Sequence, residues 1–159
     1  AAAKLLADAF SSTPVDTIIS LERMKMIGAF MADNLSHSGI NLRHEIAVIT
    51  PELSGDKILL RDNFIPYVKN KNVLLLTASA TTGQTVQSGV HGISYYGGTP
   101  VGAAAVFGGE FDCEVPFVSL FGVGDVENYL SFAPVDCPLC KSGVKVDAVV
   151  NSYGYSKLV

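Results

Sequence analysis

Residues 74–85 are Leu-Leu-Leu-Thr-Ala-Ser-Ala-Thr-Thr-Gly-Gln-Thr, and they tell more about how this chain folds than any other stretch. Together with Val73, the three leucines are typical of a strand that is buried on both faces of a parallel sheet. The small and hydroxylated residues that follow predict a tight turn. Val86, Val90 and Ile93 then recur at helical spacing, which predicts a helix over residues 83–96. The stretch therefore predicts a buried strand that passes through a short turn into a helix.

The turn between this strand and this helix is a candidate anion site. The N-terminus of a helix presents N–H groups without intrahelical partners at the positive end of the helix dipole, so phosphate binds well there. Thr81, Thr82 and Thr85 add hydroxyl donors, and Gly83 allows the backbone to approach an anion closely. From the residues alone, a turn whose threonines only cap the helix is an equal alternative. The turn matches neither a Walker sequence nor a dinucleotide fingerprint.

The flanking segments predict an α/β fold with a mostly parallel sheet and helices on both faces. An apolar strand over residues 101–107 completes a strand–helix–strand unit, and such crossovers build parallel sheets. Further strands are predicted over residues 15–20, 46–49 and 117–121, and helices over residues 1–10 and 22–34. A turn over residues 51–56 and a strand over residues 57–60 extend the 46–49 strand into a hairpin-like region. This region and an irregular tail form a small extra element.

The composition excludes several classes of protein. The length of 159 residues predicts one domain, which covers residues 1–159. Its 11 basic and 15 acidic residues give a net charge of −4, which argues against a general nucleic-acid binder. No apolar run reaches the roughly 18 residues that span a bilayer, and the first residues lack a signal-peptide pattern. Three cysteines fit a reducing compartment. We therefore expect a cytoplasmic protein with no membrane or nucleic-acid partner.

Two further groups of residues are candidate metal sites. Cys137 and Cys140 are separated by Pro-Leu, which is the spacing of half a zinc knuckle. Structural zinc, a redox dithiol and plain reduced cysteines in a turn all remain open, as does zinc that joins the tails of two subunits. The alternating acids Glu110, Asp112 and Glu114 suit either a hard cation or a solvated acidic loop.

The run Thr81-Thr82-Gly83-Gln84-Thr85, with the apolar strand before it, resembles the phosphoribosyl-diphosphate (PRPP) signature of type I phosphoribosyltransferases. In that family the loop holds the 5′-phosphate of the ribose. Residues 16–22 are similar to the strand and loop that receive the pyrophosphate, which implies that Glu22 and Arg23 lie in the pyrophosphate loop. The hairpin-like region lies where the family has its flexible loop, and residues 136–143 are similar to tails of some orotate phosphoribosyltransferases.

The resemblance implies the three-layer phosphoribosyltransferase-like fold, Mg²⁺ as a cofactor with PRPP, and a homodimer. It also implies transfer of phosphoribosyl from PRPP to a nucleobase, with a pyrimidine such as orotate favoured. The chain departs from the family at the two acidic positions of the signature, which are the ribose-facing Thr77 and Ala78 here. The alternative is therefore a catalytically weak or inactive regulatory protein that binds PRPP or a nucleotide. The sequence assigns no catalytic residue, and Arg43, Lys57 and Arg61 are the cations near the flexible-loop region.

Overall fold

The computed structural model describes residues 1–55, 57–132, 135–151 and 154–158. The chain forms two compact units, Ala1–Glu127 and Asn128–Val159, and the single domain expected from the sequence stays a prediction. The first unit contains α1 (Ala2–Ala9), β1 (Thr17–Ser20), α2 (Lys25–Ser36), β2 (Ala47–Ile49), β3 (Glu52–Ser54), β4 (Lys57–Leu59), β5 (Asn72–Ala80), α3 (Gln84–Tyr95), β6 (Thr99–Gly108) and β7 (Phe117–Gly122). Short 3-10 helices lie at Gly39–Asn41, Ile65–Tyr67 and Val123–Asp125. The second unit contains α4 (Pro138–Lys141), β8 (Ala148–Asn151) and β9 (Gly154–Lys157).

A five-stranded sheet in the order β2-β1-β5-β6-β7 forms the centre of the first unit. All four strand pairings in it are parallel, which confirms the predicted sheet. Ser20 lies opposite Leu76, and Thr77 lies opposite Ala105. Because every strand runs in the same direction, the segments that follow β1, β5, β6 and β7 all leave from one edge. A ligand site in an open parallel sheet is expected at this carboxyl edge.

Helices cover both faces of the sheet, as the sequence predicts. One buried cluster lies beneath α3 and contains Leu75, Val90 and Ile93. The other lies beneath α1 and α2 and contains Leu74, Met31 and other residues of those helices. Alternate residues of β5 therefore enter opposite clusters, which explains why this strand is an unbroken apolar run.

Two segments differ from their predicted form. The helix expected over residues 22–34 begins only at Lys25, since Glu22 and Arg23 have φ values of 47° and 63° and are not helical. The strand over residues 46–49 belongs to the main sheet, where it pairs with β1. The hairpin is formed by β3 and β4 instead, so part of the predicted turn is a strand. Burial of Ile58 and Leu60 in the α3-side cluster explains why this hairpin folds back onto the unit.

The second unit is more regular than the sequence suggests. Residues 138–141 form a short helix where a turn is predicted, and β8 pairs with β9 in an antiparallel hairpin where an irregular tail is predicted. The two adjacent β-branched residues of β8, Val149 and Val150, and the positive φ of Gly154 suit such a hairpin. Within the described ranges, no helix of either unit is both long and apolar enough to cross a bilayer.

Candidate functional site

The segments that follow β1 and β5 meet at the carboxyl edge of the sheet. The N–H of Leu21 donates a hydrogen bond of 2.8 Å to the carbonyl of Leu76, so the ladder between the two strands continues one residue beyond β1. The chain then turns at Glu22 and Arg23, both exposed. The predicted pyrophosphate loop and the predicted phosphate loop therefore leave from neighbouring strands.

The carboxylate of Glu22 reaches across to β5. Its Oε2 accepts a hydrogen bond of 2.8 Å from the Thr77 hydroxyl and one of 3.0 Å from the Ala78 backbone N–H. Thr77 is buried, whereas Ala78 is half-buried. A carboxylate of the adjacent loop thus contacts positions 77 and 78, which carry no acid of their own. Sequence reasoning placed Glu22 in its loop but missed this contact.

The turn after β5 has the geometry that the sequence predicts. Gly83 is the N-cap of α3 with φ of 76°. The first hydrogen bond of the helix is donated by Gln87 N–H to the Gly83 carbonyl at 2.9 Å, so the N–H groups of the first turn lie ahead of the helical ladder. Glycine has no side chain with which to cap these groups. Thr81 and Thr82 are exposed next to them, and Thr85 is half-buried.

The segment between β6 and β7 supports this turn from the side. The N–H of Gly109 donates a hydrogen bond of 2.7 Å to the Ala80 carbonyl, and a Cβ at Gly109 would lie 2.2 Å from the Thr81 carbonyl oxygen. The ring of Phe111 covers Gly83, where a Cβ would lie 2.3 Å from ring Cδ2. Position 83 therefore needs a glycine for two reasons: its φ is positive, and the Phe111 ring leaves no room for a Cβ. Neither reason involves a bound anion. Sequence reasoning did not identify Phe111, because only the tertiary contact reveals it.

Two of the other predicted residues have ionic partners of their own. Arg61 donates hydrogen bonds of 2.8 Å and 3.0 Å to both carboxylate oxygens of Glu52. Glu114 lies 3.2 Å from His91 Nε2. In the part of the chain that the structure describes, no three His, Cys, Asp or Glu side chains are grouped to hold a metal ion. The hard-cation and zinc interpretations gain no support from these residues.

Cys137 and Cys140 lie within the second unit, at the start of α4. Cys137 is the N-cap, and its Sγ accepts a hydrogen bond of 3.5 Å from the Cys140 N–H. This backbone hydrogen bond, followed by one from the Cys140 side chain, lowers the pKa of the Cys137 thiol. The hydrogen bond with Cys137, and then its charge, raise the pKa of Cys140. The two thiols are therefore unequal, and Cys137 carries more thiolate at neutral pH.

A cleft of about 600 Å³ lies between the β3–β4 hairpin and the second half of α3. It is lined by Lys57, Ile58, Leu59, Ser88, His91, Gly92, Tyr95 and Tyr96. None of these residues belongs to the turns that follow β1 and β5. This cleft is thus separate from the candidate site at the carboxyl edge.

No protein-family model matches the chain, and no curated protein matches it in sequence. Solved structures do match it. An orotate phosphoribosyltransferase of Mycobacterium tuberculosis is 19% identical, with a TM-score of 0.51, and the match covers 77% of this chain and 71% of that one. An adenine phosphoribosyl transferase of Trypanosoma brucei, solved with AMP, pyrophosphate and ribose-5-phosphate, is 18% identical with a TM-score of 0.56; that match covers 85% of this chain and 70% of the other.

An adenine phosphoribosyltransferase of Rhodothermus marinus is 15% identical with a TM-score of 0.55, over 76% of this chain and 77% of its own. The matched enzymes act on different bases, so what they share is the architecture. The parallel sheet, the helices on its two faces and the turn after β5 agree with this likeness. The chain therefore has the fold of the phosphoribosyltransferases.

Proposed function

We propose that this chain is a phosphoribosyltransferase of the orotate-like type, which transfers phosphoribosyl from PRPP to a nucleobase, with a pyrimidine such as orotate as the favoured acceptor. The observation that carries the proposal is the position of the Thr81-Thr82-Gly83-Gln84-Thr85 turn. It lies between the carboxyl end of β5 and the N-terminus of α3, in a chain with the phosphoribosyltransferase fold. The loop of Glu22 and Arg23 leaves from the neighbouring strand.

In this proposal the turn holds the 5′-phosphate of PRPP. Backbone N–H groups of the first turn of α3 and the hydroxyls of Thr81, Thr82 and Thr85 donate to the phosphate oxygens. The loop of Glu22 and Arg23 receives the pyrophosphate, which leaves as the bond between C1′ and its oxygen breaks and a bond from C1′ to a base nitrogen forms. Catalysis of this kind depends mainly on orientation and on stabilisation of charge.

Mg²⁺ suits this arrangement as a cofactor that arrives with PRPP. Magnesium is usually held by one or two carboxylates together with phosphates of the substrate, and Glu22 is a carboxylate at the expected position. The bound cation would neutralise charge on the pyrophosphate.

The second candidate function is a regulatory protein that binds PRPP or a nucleotide on the same fold without efficient transfer. The observation that favours it is the identity of residues 77 and 78, which are Thr and Ala. A hydrogen bond to a charged group contributes about 1.5–3 kcal/mol. Loss of two such bonds would therefore slow transfer by about 10²–10⁴-fold if the effects added.

Two measurements test these candidates. A coupled assay with PRPP, millimolar Mg²⁺ and a panel of bases measures transfer, and calorimetry measures binding of PRPP without a base. Transfer to a pyrimidine supports the enzyme, whereas binding without transfer supports the regulatory protein. Absence of both would contradict the proposal.

A matched pair of variants connects either result to the turn after β5. Thr82→Val removes an exposed hydroxyl of the turn, and we expect PRPP to bind about tenfold more weakly. Thr99→Val removes an exposed hydroxyl at the start of β6, on the opposite edge of the sheet, and serves as the control. Equal affinities of the two variants would show that the phosphate does not bind in this turn.

A further inference from the structure

The backbone at Glu22 and Arg23 is unusual. Both residues have positive φ values, 47° and 63°, a region that residues other than glycine seldom adopt. The turn is held by the hydrogen bond from Leu21 to Leu76, by one of 2.8 Å from Met24 N–H to the Leu21 carbonyl, and by the Glu22 carboxylate on β5. Strained backbone of this kind persists only where its surroundings enforce it, and it is concentrated at functional sites.

The chemistry of the Glu22 carboxylate suits a polyhydroxylated ligand. A carboxylate offers about four lone-pair positions, and the hydrogen bonds to Thr77 and Ala78 both involve Oε2. The side chain is exposed, so acceptor capacity remains within reach of a ligand. The Ala78 end of this contact lies only three residues before the turn that begins at Thr81. A sugar phosphate with its phosphate in that turn would place its hydroxyls near this carboxylate.

We propose that Glu22 supplies, from the loop after β1, the carboxylate that positions 77 and 78 lack, and that it binds the vicinal hydroxyls of a ribose 5-phosphate group. The inference rests on the proposed function, because the phosphate of the same ligand lies in the turn at residues 81–85. It assigns to Glu22 a role in recognising the sugar, in addition to its position in the pyrophosphate loop.

The identity of residue 77 agrees with this role. Thr77 donates its hydroxyl proton to Glu22, whereas an ionised Asp at this position can only accept hydrogen bonds. Two carboxylates at this distance would repel each other. An ionised Glu22 directed at β5 and an ionised acid at position 77 therefore exclude each other, whereas the Thr77 hydroxyl stabilises this orientation of Glu22.

Calorimetry with three ligands tests the inference, using inorganic phosphate, ribose 5-phosphate and 2-deoxyribose 5-phosphate. The variants are Glu22→Gln, which keeps the shape of the side chain but removes its charge, and Glu45→Gln, an exposed control just before β2 at the opposite edge. We expect the wild type and the control to prefer the ribose over the deoxyribose ligand by about tenfold. Glu22→Gln should lose this preference while it still binds inorganic phosphate.

Three outcomes would contradict the inference in distinguishable ways. If Glu22→Gln keeps the preference for the ribose ligand, Glu22 does not bind the hydroxyls, but the proposal that phosphate binds in the turn at residues 81–85 is not contradicted. If Glu22→Gln binds ribose 5-phosphate more tightly than the wild type, the carboxylate blocks the sugar position instead of binding it. If none of the three ligands binds the wild type, both the inference and the proposed function fail.

A second pair of variants tests the mutual exclusion. Thr77→Asp should weaken binding of ribose 5-phosphate, because the new carboxylate repels Glu22. Adding Glu22→Gln should restore the affinity, since the Gln amide can donate to Asp and the charge returns to position 77. Thermal unfolding of both variants shows whether the fold is intact. A double variant that is folded and binds no better than Thr77→Asp alone would contradict the inference.

Discussion

Asp16 shows how a single side chain joins segments at the amino edge of the sheet. Its Oδ2 accepts a hydrogen bond of 2.7 Å from Asn72 N–H at the start of β5, and its Oδ1 lies 2.9 Å from His44 Nε2. Partial burial by itself raises the pKa of Asp16. The hydrogen bonds from Asn72 and His44, with the charge of Lys71 nearby, oppose this and leave the pKa below its usual value of 3.8.

Asp16→Ala should destabilise the chain by about 1–3 kcal/mol at neutral pH, because Asn72 N–H loses its partner. The folded pKa of Asp16 is lower than the unfolded one, so the ionised carboxylate stabilises the fold above the unfolded pKa, which has the usual value of 3.8. This contribution is lost as the pH falls through the folded pKa. Urea unfolding from pH 7 to pH 2.5 measures the difference from wild type, with the exposed Asp62→Ala as control. A difference that stays constant below pH 3.8 would argue against this account.

The two thiols of α4 give a second prediction at the level of the residue. At pH 7, iodoacetamide should modify Cys137 faster than Cys140, although Cys140 is the more exposed, because the lower pKa of Cys137 gives it more of the reactive thiolate. Mass spectrometry of timed samples measures both rates. The ratio should decrease as the pH rises and both thiols ionise. Faster modification of Cys140 at pH 7 would contradict the assigned order.

At the level of elements, the β3–β4 hairpin depends on close contact with α3. A Cβ at Gly92 would lie 2.4 Å from Ile58 Cγ1, and the Tyr96 hydroxyl accepts a hydrogen bond of 3.2 Å from Leu60 N–H. The sequence predicts that a hairpin-like region exists here. Of the two strands predicted for it, residues 57–60 are confirmed and residues 46–49 are wrong, because a short apolar run fits a hairpin or a buried sheet equally well.

Gly92→Ala should therefore separate the hairpin from α3. Alanine favours a helix interior over glycine by about 1 kcal/mol, but overpacking against Ile58 costs about 1–3 kcal/mol, so the unfolding free energy should fall by up to about 2 kcal/mol. Gly124→Ala, where a Cβ meets open space, is the matched control.

Ile58→Ala combined with Gly92→Ala should lose less stability than the sum of the two single variants, because the crowded side chain is gone. Chemical denaturation measures all four proteins. Additive losses would show that Gly92 and Ile58 do not conflict.

At the scale of the whole molecule, the helical layer formed by α1 and α2 has large apolar side chains exposed on its outer surface. Met26 and Phe30, one helical turn apart on α2, are 69% and 59% exposed. Adjacent exposed apolar residues of this kind often mark contact surfaces. They agree with the homodimer that the resemblance to phosphoribosyltransferases implies, which stays a prediction.

Sedimentation equilibrium at micromolar concentration should give twice the 16.8 kDa mass of the chain. Phe30→Glu should shift the protein toward the single-chain mass, because a charge would be buried in the contact. Tyr95→Glu, which is also exposed but on the helix at the other face of the sheet, should leave the dimer intact. A single-chain mass for the wild type would contradict the expected dimer.

The sequence alone determined the elements that depend on local pattern. The apolar run at residues 73–76, the helical spacing after Gly83 and the crossover into β6 are sufficient to predict a parallel sheet with a turn and a helix N-terminus at its carboxyl edge. Only the tertiary structure decided which side chains of other segments lie beside the end of β5 and the turn that follows it. Glu22 meets Thr77 across 55 positions of sequence, because the two strands are neighbours in the sheet. No local pattern encodes such a contact, since it depends on strand order and register.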